Sequence, residues 1–249
     1  MTTGQGTHAK ALDGLVVVIA GASSGMGRAT AIELVRAGAR LVVSARSGEA
    51  LTSLASDLTA DGADIIAVPA DVTSLDAASD VVRTAIDRFG RVDVLINSVG
   101  TNIPQRSLGE LTAESWRMLI DVNLTAAFNL TQAVLPTFRA QGGGLLIHIS
   151  SSAAKKPDQS GVGYQASKAG LVGLAHGTMV EERANGVRVS VIFPGMTDTP
   201  LVQKRPTPTP PETLAKALQP EDVAAACRFI VGLPARAHVP ELVLYPSAL

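Results

Sequence analysis

Short runs of apolar and β-branched residues recur along the chain. They occupy residues 15–20, 41–45, 64–69, 92–97, 145–150, 187–193 and 241–245. Because these runs are almost continuously apolar, they are typical of strands that are buried on both faces, as in a parallel sheet. The pattern therefore predicts about seven strands of one sheet.

Segments with helical periodicity lie between the runs, most clearly at residues 27–38, 75–90, 114–138 and 164–184. Strands that alternate with helices predict a doubly wound, Rossmann-type α/β sheet with helices on both faces. No internal repeat or long linker divides the chain. We therefore expect residues 1–11 to be a disordered N-terminal arm and residues 12–249 to form a single domain.

A proline-rich segment interrupts this alternation. Residues 200–218 follow the sixth predicted strand and contain the sequence TPTPP. Such a composition favours a loop of limited flexibility, with room for one short helix. We predict that this segment forms a lid over a binding site.

Composition and charge exclude several classes of function. The chain has 21 basic and 22 acidic residues, a formal net charge of −1, so neither nucleic acid nor an anionic membrane is expected as a partner. The apolar runs are too short to cross a bilayer, and the N-terminus lacks the apolar core of a signal peptide. The single cysteine, Cys227, cannot form an internal disulfide. The four histidines are scattered, without the spacing of a metal site. A soluble, cytoplasmic protein without a metal is expected.

A glycine-rich turn follows the first predicted strand, with the sequence AGASSGMG at residues 20–27. Gly21 would permit a tight turn, Gly25 would let the backbone approach a pyrophosphate, and Gly27 would let the helix pack closely on the strand. The N–H groups at the start of that helix suit a phosphate. A plain strand-to-helix turn is the alternative, but the context is the one that a dinucleotide site requires.

Tyr164 and Lys168 stand four residues apart in the sequence YQASK, so they would share one helix face. A nearby ammonium group lowers the pKa of a tyrosine, which is ordinarily about 10. The pair could therefore act as a general acid and base. Taken alone, such a pair is more often a solvated helix face.

The turn and the YQASK sequence resemble those of the classical short-chain dehydrogenases/reductases, and the resemblance covers residues 15 to about 245. The family's turn reads T-G-x-x-x-G-x-G, and Ala20 stands in place of its threonine. The family's N-N-A-G segment corresponds to NSVG, in which Asn97 and Gly100 match and the two central residues depart.

The resemblance implies a catalytic tetrad of Asn123, Ser151, Tyr164 and Lys168. The tyrosine would exchange a proton with the substrate oxygen, and the serine would hydrogen-bond the same oxygen. The lysine would lower the pKa of the tyrosine and bind the nicotinamide ribose. The asparagine would hold a water molecule that connects the lysine to solvent.

The resemblance also implies a nicotinamide dinucleotide cofactor. An acidic residue that would bind the ribose 2′-hydroxyl of NAD(H) is expected at position 45, but Ala45 is followed by Arg46, which could pair with a 2′-phosphate. NADP(H) is therefore the expected cofactor and NAD(H) the alternative, since Arg46 could instead stack on adenine. The expected cofactor-binding residues are Gly21, Ser23, Ser24, Gly25, Met26, Gly27, Arg46, Ser47, Asp71, Val72, Asn97, Gly100, Tyr164, Lys168, Pro194, Gly195, Thr197 and Thr199.

The activity implied by the resemblance is interconversion of a small carbonyl compound and a secondary alcohol. A 3-oxoacyl-carrier-protein reductase is one alternative, although the C-terminal ELVLYPSAL lacks the glycine-rich ending of that group. A non-catalytic dinucleotide-sensing regulatory protein is another, and the complete tetrad argues against it. An epimerase or dehydratase of the extended subgroup would have a different glycine spacing and a longer chain.

Substrate specificity is expected to depend on residues 101–107, 152–162 and 200–218. The cations considered there are Lys155, Lys156, Lys204 and Arg205, which fit an acidic ketone among other substrates. In the family, the helix that contains Tyr164 forms a subunit interface, so a homo-oligomer, a tetramer or a dimer, is expected. The glycines of this helix could instead serve only close packing on the sheet.

Overall fold

The computed structural model describes residues 11–248, so residues 1–10 of the expected N-terminal arm lie outside the described residues. Within 11–248, seven strands form one sheet: β1 (Val16–Ala20), β2 (Arg40–Ala45), β3 (Ile65–Pro69), β4 (Val94–Asn97), β5 (Gly144–Ile149), β6 (Val187–Pro194) and β7 (Glu241–Leu244). All neighbouring strands are parallel, in the order β3-β2-β1-β4-β5-β6-β7. This confirms the predicted doubly wound parallel sheet.

The helices of the described residues connect successive strands. They are α1 (Gly25–Arg36), α2 (Gly48–Ala60), α3 (Leu75–Phe89), α4 (Ala113–Ile120), α5 (Ala126–Gln141), α6 (Val162–Glu181), α7 (Pro211–Leu214) and α8 (Pro220–Val231). A π-helical turn, Asp121–Thr125, joins α4 to α5 without a break. Glycines end α3 and α5, since Gly90 and Gly142 follow these helices with φ values of 77° and 75°, in the left-handed region.

Two apolar layers cover the two faces of the sheet. On one face, Ile19 of β1 packs with Leu34, Leu51 and Ile230 from α1, α2 and α8. On the other face, Val18 belongs to a cluster with side chains of α3 and α5. Consecutive residues of β1 thus point to opposite layers, as the almost continuous apolar run predicted. Burial of each such side chain contributes about 1.5–3 kcal/mol.

The stretch Ala113–Gln141 is the one helical segment of the described residues that is long and apolar enough to cross a membrane. Polar residues interrupt its apolar runs, so none of the continuous apolar runs of the sequence has this length. Half of its most apolar window is buried, and Leu130 and Phe138 have no exposed surface in the core layer beside the sheet. It has the burial of a core helix.

The order of the strands determines where a ligand can bind. The chain leaves β1 in one direction along the sheet to reach β2 and β3, and it returns to the other side of β1 with β4. The loops at the carboxyl ends of β1 and β4 therefore diverge and leave a crevice between them. The glycine-rich turn and the segment after Asn97 both lie at this edge.

Candidate active site

The glycine-rich turn has a geometry that only glycines accommodate. Gly21 has a φ of 85°, and a Cβ atom there would lie 2.7 Å from the backbone carbon of Ser98. A Cβ atom on Gly27 would lie 2.2 Å from the carbonyl oxygen of Gly21. The turn is thus packed against the loop after β4 and against the first turn of α1. Gly21 lines the crevice, whereas Gly27 is buried behind it.

The crevice is a cleft of about 620 Å³ along the carboxyl ends of β1, β2 and β4. Ser24 and Ser47 begin α1 and α2, and neither hydroxyl caps its own helix. The hydroxyl of Ser44 is buried without a hydrogen-bond partner among the described residues. The predicted residues that line the cleft are Gly21, Ser23, Ser24, Gly25, Met26, Arg46, Ser47, Asp71, Val72, Gly100, Tyr164, Lys168 and Thr199. Its size, free hydroxyls and uncapped helix N-termini fit a dinucleotide.

Asp71 and Arg46 face each other across one end of the cleft. The Asp71 carboxylate accepts hydrogen bonds from the Thr73 hydroxyl at 2.8 Å and the Thr73 N–H at 3.1 Å. These bonds, with a smaller contribution from the charge of Arg46, hold the pKa of Asp71 below its ordinary value. Asp71 is therefore ionised at neutral pH, while Arg46 makes no ion pair among the described residues.

Asn97 lies behind the cleft rather than on its surface. Its side chain is 1% exposed, its Nδ2 atom lies 3.3 Å from Nδ1 of His148, and its Oδ1 accepts the N–H of Val99 at 3.0 Å. Burial lowers the pKa of His148 to about 3, so this histidine is neutral, as expected for a packed residue. Asn97 thus holds the loop that lines the cleft.

Asn123 lies in the π-helical turn between α4 and α5 and is fully buried. Its Oδ1 accepts the N–H of Thr101 at 2.7 Å, and its Nδ2 donates to the Thr101 carbonyl and to the Ser167 hydroxyl, each at 3.0 Å. π-Helical turns within α-helices are frequent at functional sites. The asparagine therefore connects the loop after β4 to helix α6.

Tyr164 and Lys168 lie on the buried side of α6, which excludes the solvated-face alternative. Burial raises the pKa of Tyr164 to about 12, although the neighbouring Ser151 hydroxyl opposes the rise. The expectation that Lys168 lowers this pKa is wrong for this structure. The lysine Nζ instead donates to the carbonyl of Ile149 at 3.0 Å, and burial lowers the pKa of Lys168 to about 8.

A second, smaller cavity of about 100 Å³ lies beside the cleft, and Tyr164 lines both. Ser151 lines this cavity and not the cleft, and its Oγ accepts the N–H of Ala153 at 3.2 Å. Three residues expected at the cofactor, Pro194, Gly195 and Thr197, also line the smaller cavity and not the cleft. Thr199 lines both.

The proline-rich segment runs along both cavities. It contains a 3₁₀ turn, Val202–Lys204, and the short helix α7. Leu201 lines both cavities, and the Lys204 ammonium donates to the Thr101 hydroxyl at 2.9 Å. One lysine thus connects the segment to the loop that Asn123 holds.

Two residues of the smaller cavity, Asn102 and Arg106, belong to the range 101–107 that is expected to determine specificity, but neither is singled out by the sequence analysis. The Asn102 side chain donates to the Ser160 carbonyl at 2.9 Å and accepts from its own loop at the Ile103 N–H, also at 2.9 Å. Arg106 belongs to a loop that had been expected to determine specificity, but it was not among the cations considered there. Its position within residues 101–107 was the available signal.

The two lysines after Ser151 do not line either cavity. Lys155 pairs with Glu241 at 2.6 Å, and its ammonium lies 4.4 Å from the centre of the Phe193 ring. Lys156 is exposed. Cys227 is fully buried in α8, as expected. Among residues 11–248, no group of histidine, cysteine and acidic side chains is arranged to hold a metal.

Comparison with known proteins identifies the family. A sequence model described as short chain dehydrogenase matches residues 15–209. The chain belongs to the short-chain dehydrogenase family. A 3-oxoacyl-[acyl-carrier-protein] reductase of Synechocystis is 34% identical over 239 residues, which cover 92% of this chain and 94% of that protein. This short-chain dehydrogenase is an oxidoreductase.

Solved structures of the family have the same fold. An alcohol dehydrogenase of the archaeon Thermococcus sibiricus, complexed with 5-hydroxy-NADP, is 29% identical with a TM-score of 0.85, over 94% of this chain and 97% of that one. A 7α-hydroxysteroid dehydrogenase complexed with NADH and 7-oxo glycochenodeoxycholic acid is 27% identical with a TM-score of 0.86, over 95% and 94% of the two chains. Both neighbours were thus solved with a nicotinamide dinucleotide, one with an NADP derivative and the other with NADH.

Proposed function

We propose that this short-chain dehydrogenase interconverts a small carbonyl compound and a secondary alcohol, with NADP(H) as the preferred cofactor. The observation that carries the proposal is that Tyr164 lines both the 620 Å³ cleft and the 100 Å³ cavity. A group at the junction of a cofactor site and a substrate site can reach the atom on which the reaction occurs.

The side chains have distinct roles in this reaction. With a pKa of about 12, Tyr164 is protonated at neutral pH, so it acts as the general acid that protonates the carbonyl oxygen during reduction. Ser151 lines the same cavity and donates a hydrogen bond to this oxygen as negative charge develops there. The nicotinamide, when bound in the cleft, supplies the hydride in reduction and accepts it in oxidation.

Lys168 and Asn123 support these groups. Lys168 lines the cleft beside Tyr164, where its ammonium can donate to the ribose hydroxyls of a bound nucleotide. Asn123 positions the loop 100–102 against α6 through its bonds to Thr101 and Ser167, and a water held beside it connects Lys168 to solvent.

The preference for NADP(H) depends on Arg46. This side chain lines the cleft after β2, and it makes no ion pair among the described residues. Ser23, Ser24 and Ser47 line the same part of the cleft with hydroxyls. A guanidinium with hydroxyls around it suits the dianionic 2′-phosphate of NADPH. The known relatives include proteins complexed with an NADP derivative and with NADH.

The test is a fluorescence titration of the purified protein with NADPH and with NADH, repeated for Arg46→Ala. We expect tight NADPH binding that weakens by about tenfold or more in the variant, as for the loss of a charge-assisted hydrogen bond. NADH binding should be weak in both proteins. Arg36→Ala, at the exposed far end of α1, is the matched control and should bind like the parent. Equal binding of both nucleotides, unchanged in Arg46→Ala, would remove Arg46 from this role.

Reduction of a 3-oxoacyl thioester is the second candidate, because the Synechocystis relative carries that activity in its name. The two candidates differ in the size of their substrates. A thioester carried on a protein needs an open path for its long arm, whereas free ketones need only the small cavity. NADPH oxidation measured with acetoacetyl thioesters and with free ketones of matched length distinguishes them.

The proposal also includes assembly of several copies of the chain and a location in the cytoplasm. Gly173 and Gly177 of α6 are exposed, and a Cβ atom on either would have no neighbour within 4 Å. Close packing on the sheet therefore does not explain these two glycines, whereas Gly170 does pack internally, against Leu124. An interface between copies of the chain, in a dimer or tetramer, accounts for them. The single buried thiol of Cys227 agrees with a reducing compartment such as the cytoplasm.

A further inference from the structure

Two arginines from separate segments of the chain line the cavity beside the cleft. Arg106 belongs to the loop after β4, and Arg205 follows the 3₁₀ turn of the proline-rich segment. Both line the cavity of about 100 Å³ that also contains Ser151 and Tyr164. A ligand whose reactive group contacts Ser151 and Tyr164 therefore lies within the same small space as both guanidinium groups.

Neither guanidinium is neutralised within the described part of the chain. No carboxylate lies within 4.0 Å of either group among residues 11–248. The Nε atom of Arg106 is buried and has no hydrogen-bond partner there. Within residues 11–248, the guanidinium of Arg205 donates only to the hydroxyl of Thr209, at 3.3 Å. A buried donor without a partner is costly, so its presence in a cavity points to a partner supplied by a ligand.

The other ionisable groups of the cavity leave it positively charged. Asp158 is the one carboxylate among the lining residues, and its Oδ1 accepts the N–H of Ser160 at 2.8 Å. Burial lowers the pKa of Arg106, repulsion by Arg205 lowers it further, and the opposing attraction by Asp158 is the smallest contribution. Lys204 lines the neighbouring cleft instead and donates to Thr101. Two cations thus outweigh one anion around the space.

The backbone holds Arg106 in this position. Gly161 immediately precedes α6 and has a φ of 89°, and a Cβ atom there would lie 2.6 Å from the Arg106 carbonyl oxygen and 2.7 Å from the Arg106 Cβ atom. Asn102 connects the same loop to Ser160. The loop of Arg106 is thus packed against the N-terminus of the helix that carries Tyr164, which fixes the backbone of Arg106 relative to that helix.

We propose that the enzyme acts on carbonyl substrates that carry an anionic oxygen group, a carboxylate or a phosphate, held between Arg106 and Arg205 while the carbonyl oxygen contacts Ser151 and Tyr164. This inference rests on the proposed carbonyl reduction. A guanidinium fork matches the geometry of carboxylate and phosphate oxygens. The cavity volume of about 100 Å³ suits a short-chain compound.

The experiment is calorimetric titration of the enzyme saturated with NADP⁺, with NADPH oxidation measured in parallel for the same compounds. The probes are acetoacetate and levulinate as carboxylates, dihydroxyacetone phosphate as a phosphate, and methyl levulinate as the neutral match of levulinate. The variants are Arg106→Met and Arg205→Met. Lys156→Met, which removes an exposed cation outside both cavities, is the control.

At least one anion should bind to the parent more tightly than methyl levulinate does. The affinity for that anion should fall by about tenfold to a hundredfold in each arginine variant, the usual effect of losing a hydrogen bond to a charged group. Lys156→Met should bind like the parent, and methyl levulinate should bind all variants equally. Preference for levulinate or for dihydroxyacetone phosphate decides between carboxylate and phosphate. If Arg106→Met does not fold, Arg205→Met on its exposed segment still tests the site.

The inference is overturned if no anion binds, if methyl levulinate binds as tightly as levulinate, or if the arginine variants bind anions like the parent. The proposed function fails separately. Arginine-dependent anion binding without NADPH oxidation by any carbonyl compound would leave the anion site in place and remove the reductase activity. Oxidation of NADPH with methyl levulinate at the same kcat/KM as with levulinate would keep the reductase and remove the anion site.

Discussion

The side chain of Asn123 exchanges two hydrogen bonds with the backbone of Thr101, at 2.7 Å and 3.0 Å. The side chain of Asn123 thus pairs with the N–H and the carbonyl of Thr101 in the way that a neighbouring β-strand would, although no strand lies beside this loop. The remaining hydrogen of its amide goes to Ser167 of α6, so every amide hydrogen of this buried residue has a partner. One side chain holds the loop after β4, the π-helical turn and the helix of Tyr164 together.

Replacing this asparagine should destabilise the protein. Asn123→Ala leaves the N–H and the carbonyl of Thr101 buried without partners, and each such group costs about 1–3 kcal/mol. Ser167→Ala removes the third contact of Asn123 and the hydrogen bond from the Ser167 hydroxyl to the Tyr164 carbonyl of the same helix. It leaves both backbone groups of Thr101 paired, so it should have a smaller effect. Urea unfolding of the two variants and the parent measures the difference. A loss of unfolding free energy in Asn123→Ala no larger than in Ser167→Ala would contradict this account.

Removing the hydroxyl of Tyr164 should abolish turnover while cofactor binding stays intact. Tyr164→Phe keeps the ring in its buried place and removes the proton that reduction requires, so kcat should fall by about 10²- to 10⁴-fold. NADPH affinity, measured by fluorescence titration, should be nearly unchanged. Tyr245→Phe, at an exposed tyrosine, should turn over like the parent. Parental turnover by Tyr164→Phe would exclude the proposed proton transfer.

The charge of Lys168 should make stability depend on pH. Burial lowers its pKa from 10.5 to about 8. Above pH 10.5 the lysine is neutral in both the folded and the unfolded chain. As the pH falls toward 8, the unfolded chain takes up its proton first, so this group's contribution to the unfolding free energy decreases by roughly 3 kcal/mol.

Urea unfolding at several pH values between 8 and 10.5 checks this prediction. The contribution of Lys168 should increase the unfolding free energy of the parent as the pH rises. Lys168→Met should lack this increase. The comparison uses the difference between the two profiles, because other groups titrate equally in both proteins. Parallel profiles would mean that Lys168 is not held at a lowered pKa.

The strands could be predicted from the sequence because strands of a parallel sheet are buried on both faces and read as unbroken apolar runs. The run at residues 15–20 corresponds to the strand Val16–Ala20. The bounds of the other runs differ from those of the observed strands by similarly few residues. The glycine-rich turn was predictable for a comparable reason, since the close contact between Gly27 and Gly21 is a local property of the turn.

The electrostatics of the site could not be predicted in the same way. Spacing along a helix correctly placed Tyr164 and Lys168 on one face, but the pKa of each depends on burial by distant segments. The positions of Arg106 and Asn97 likewise depend on how separate loops fold together. Arg106 lines the same cavity as Arg205, which is 99 positions away in the sequence, and no local pattern indicates that the two lie near each other.

Adding one methyl group at Gly27 should disrupt the cofactor site. A Cβ atom there would lie 2.2 Å from the Gly21 carbonyl oxygen, so Gly27→Ala must push the turn away from α1. We expect lower stability and loss of NADPH binding. Gly173 lies on the exposed face of α6, and a Cβ atom there has open space around it. In an isolated chain, Gly173→Ala should therefore raise the unfolding free energy by about 0.5–1 kcal/mol through helix propensity. Thermal unfolding with and without NADPH measures both variants, and NADPH binding by Gly27→Ala at parental strength would exclude the predicted displacement.

The exposed face of α6 provides a test of assembly. Gly177 has no neighbour within 4 Å of a Cβ position, and Val180 on the same helix is 77% exposed. If copies of the chain pack together at this face, the long charged side chain of Gly177→Arg should prevent the close contact between their helices. Light scattering should then give the mass of a smaller assembly for this variant than for the parent. Gly109→Arg, in a loop with equally open space, should keep the parental mass. Because the side chain of Gly177→Arg is directed to solvent in the isolated chain, the variant should fold at least as stably as the parent. A parental mass for Gly177→Arg would exclude α6 as the contact between copies.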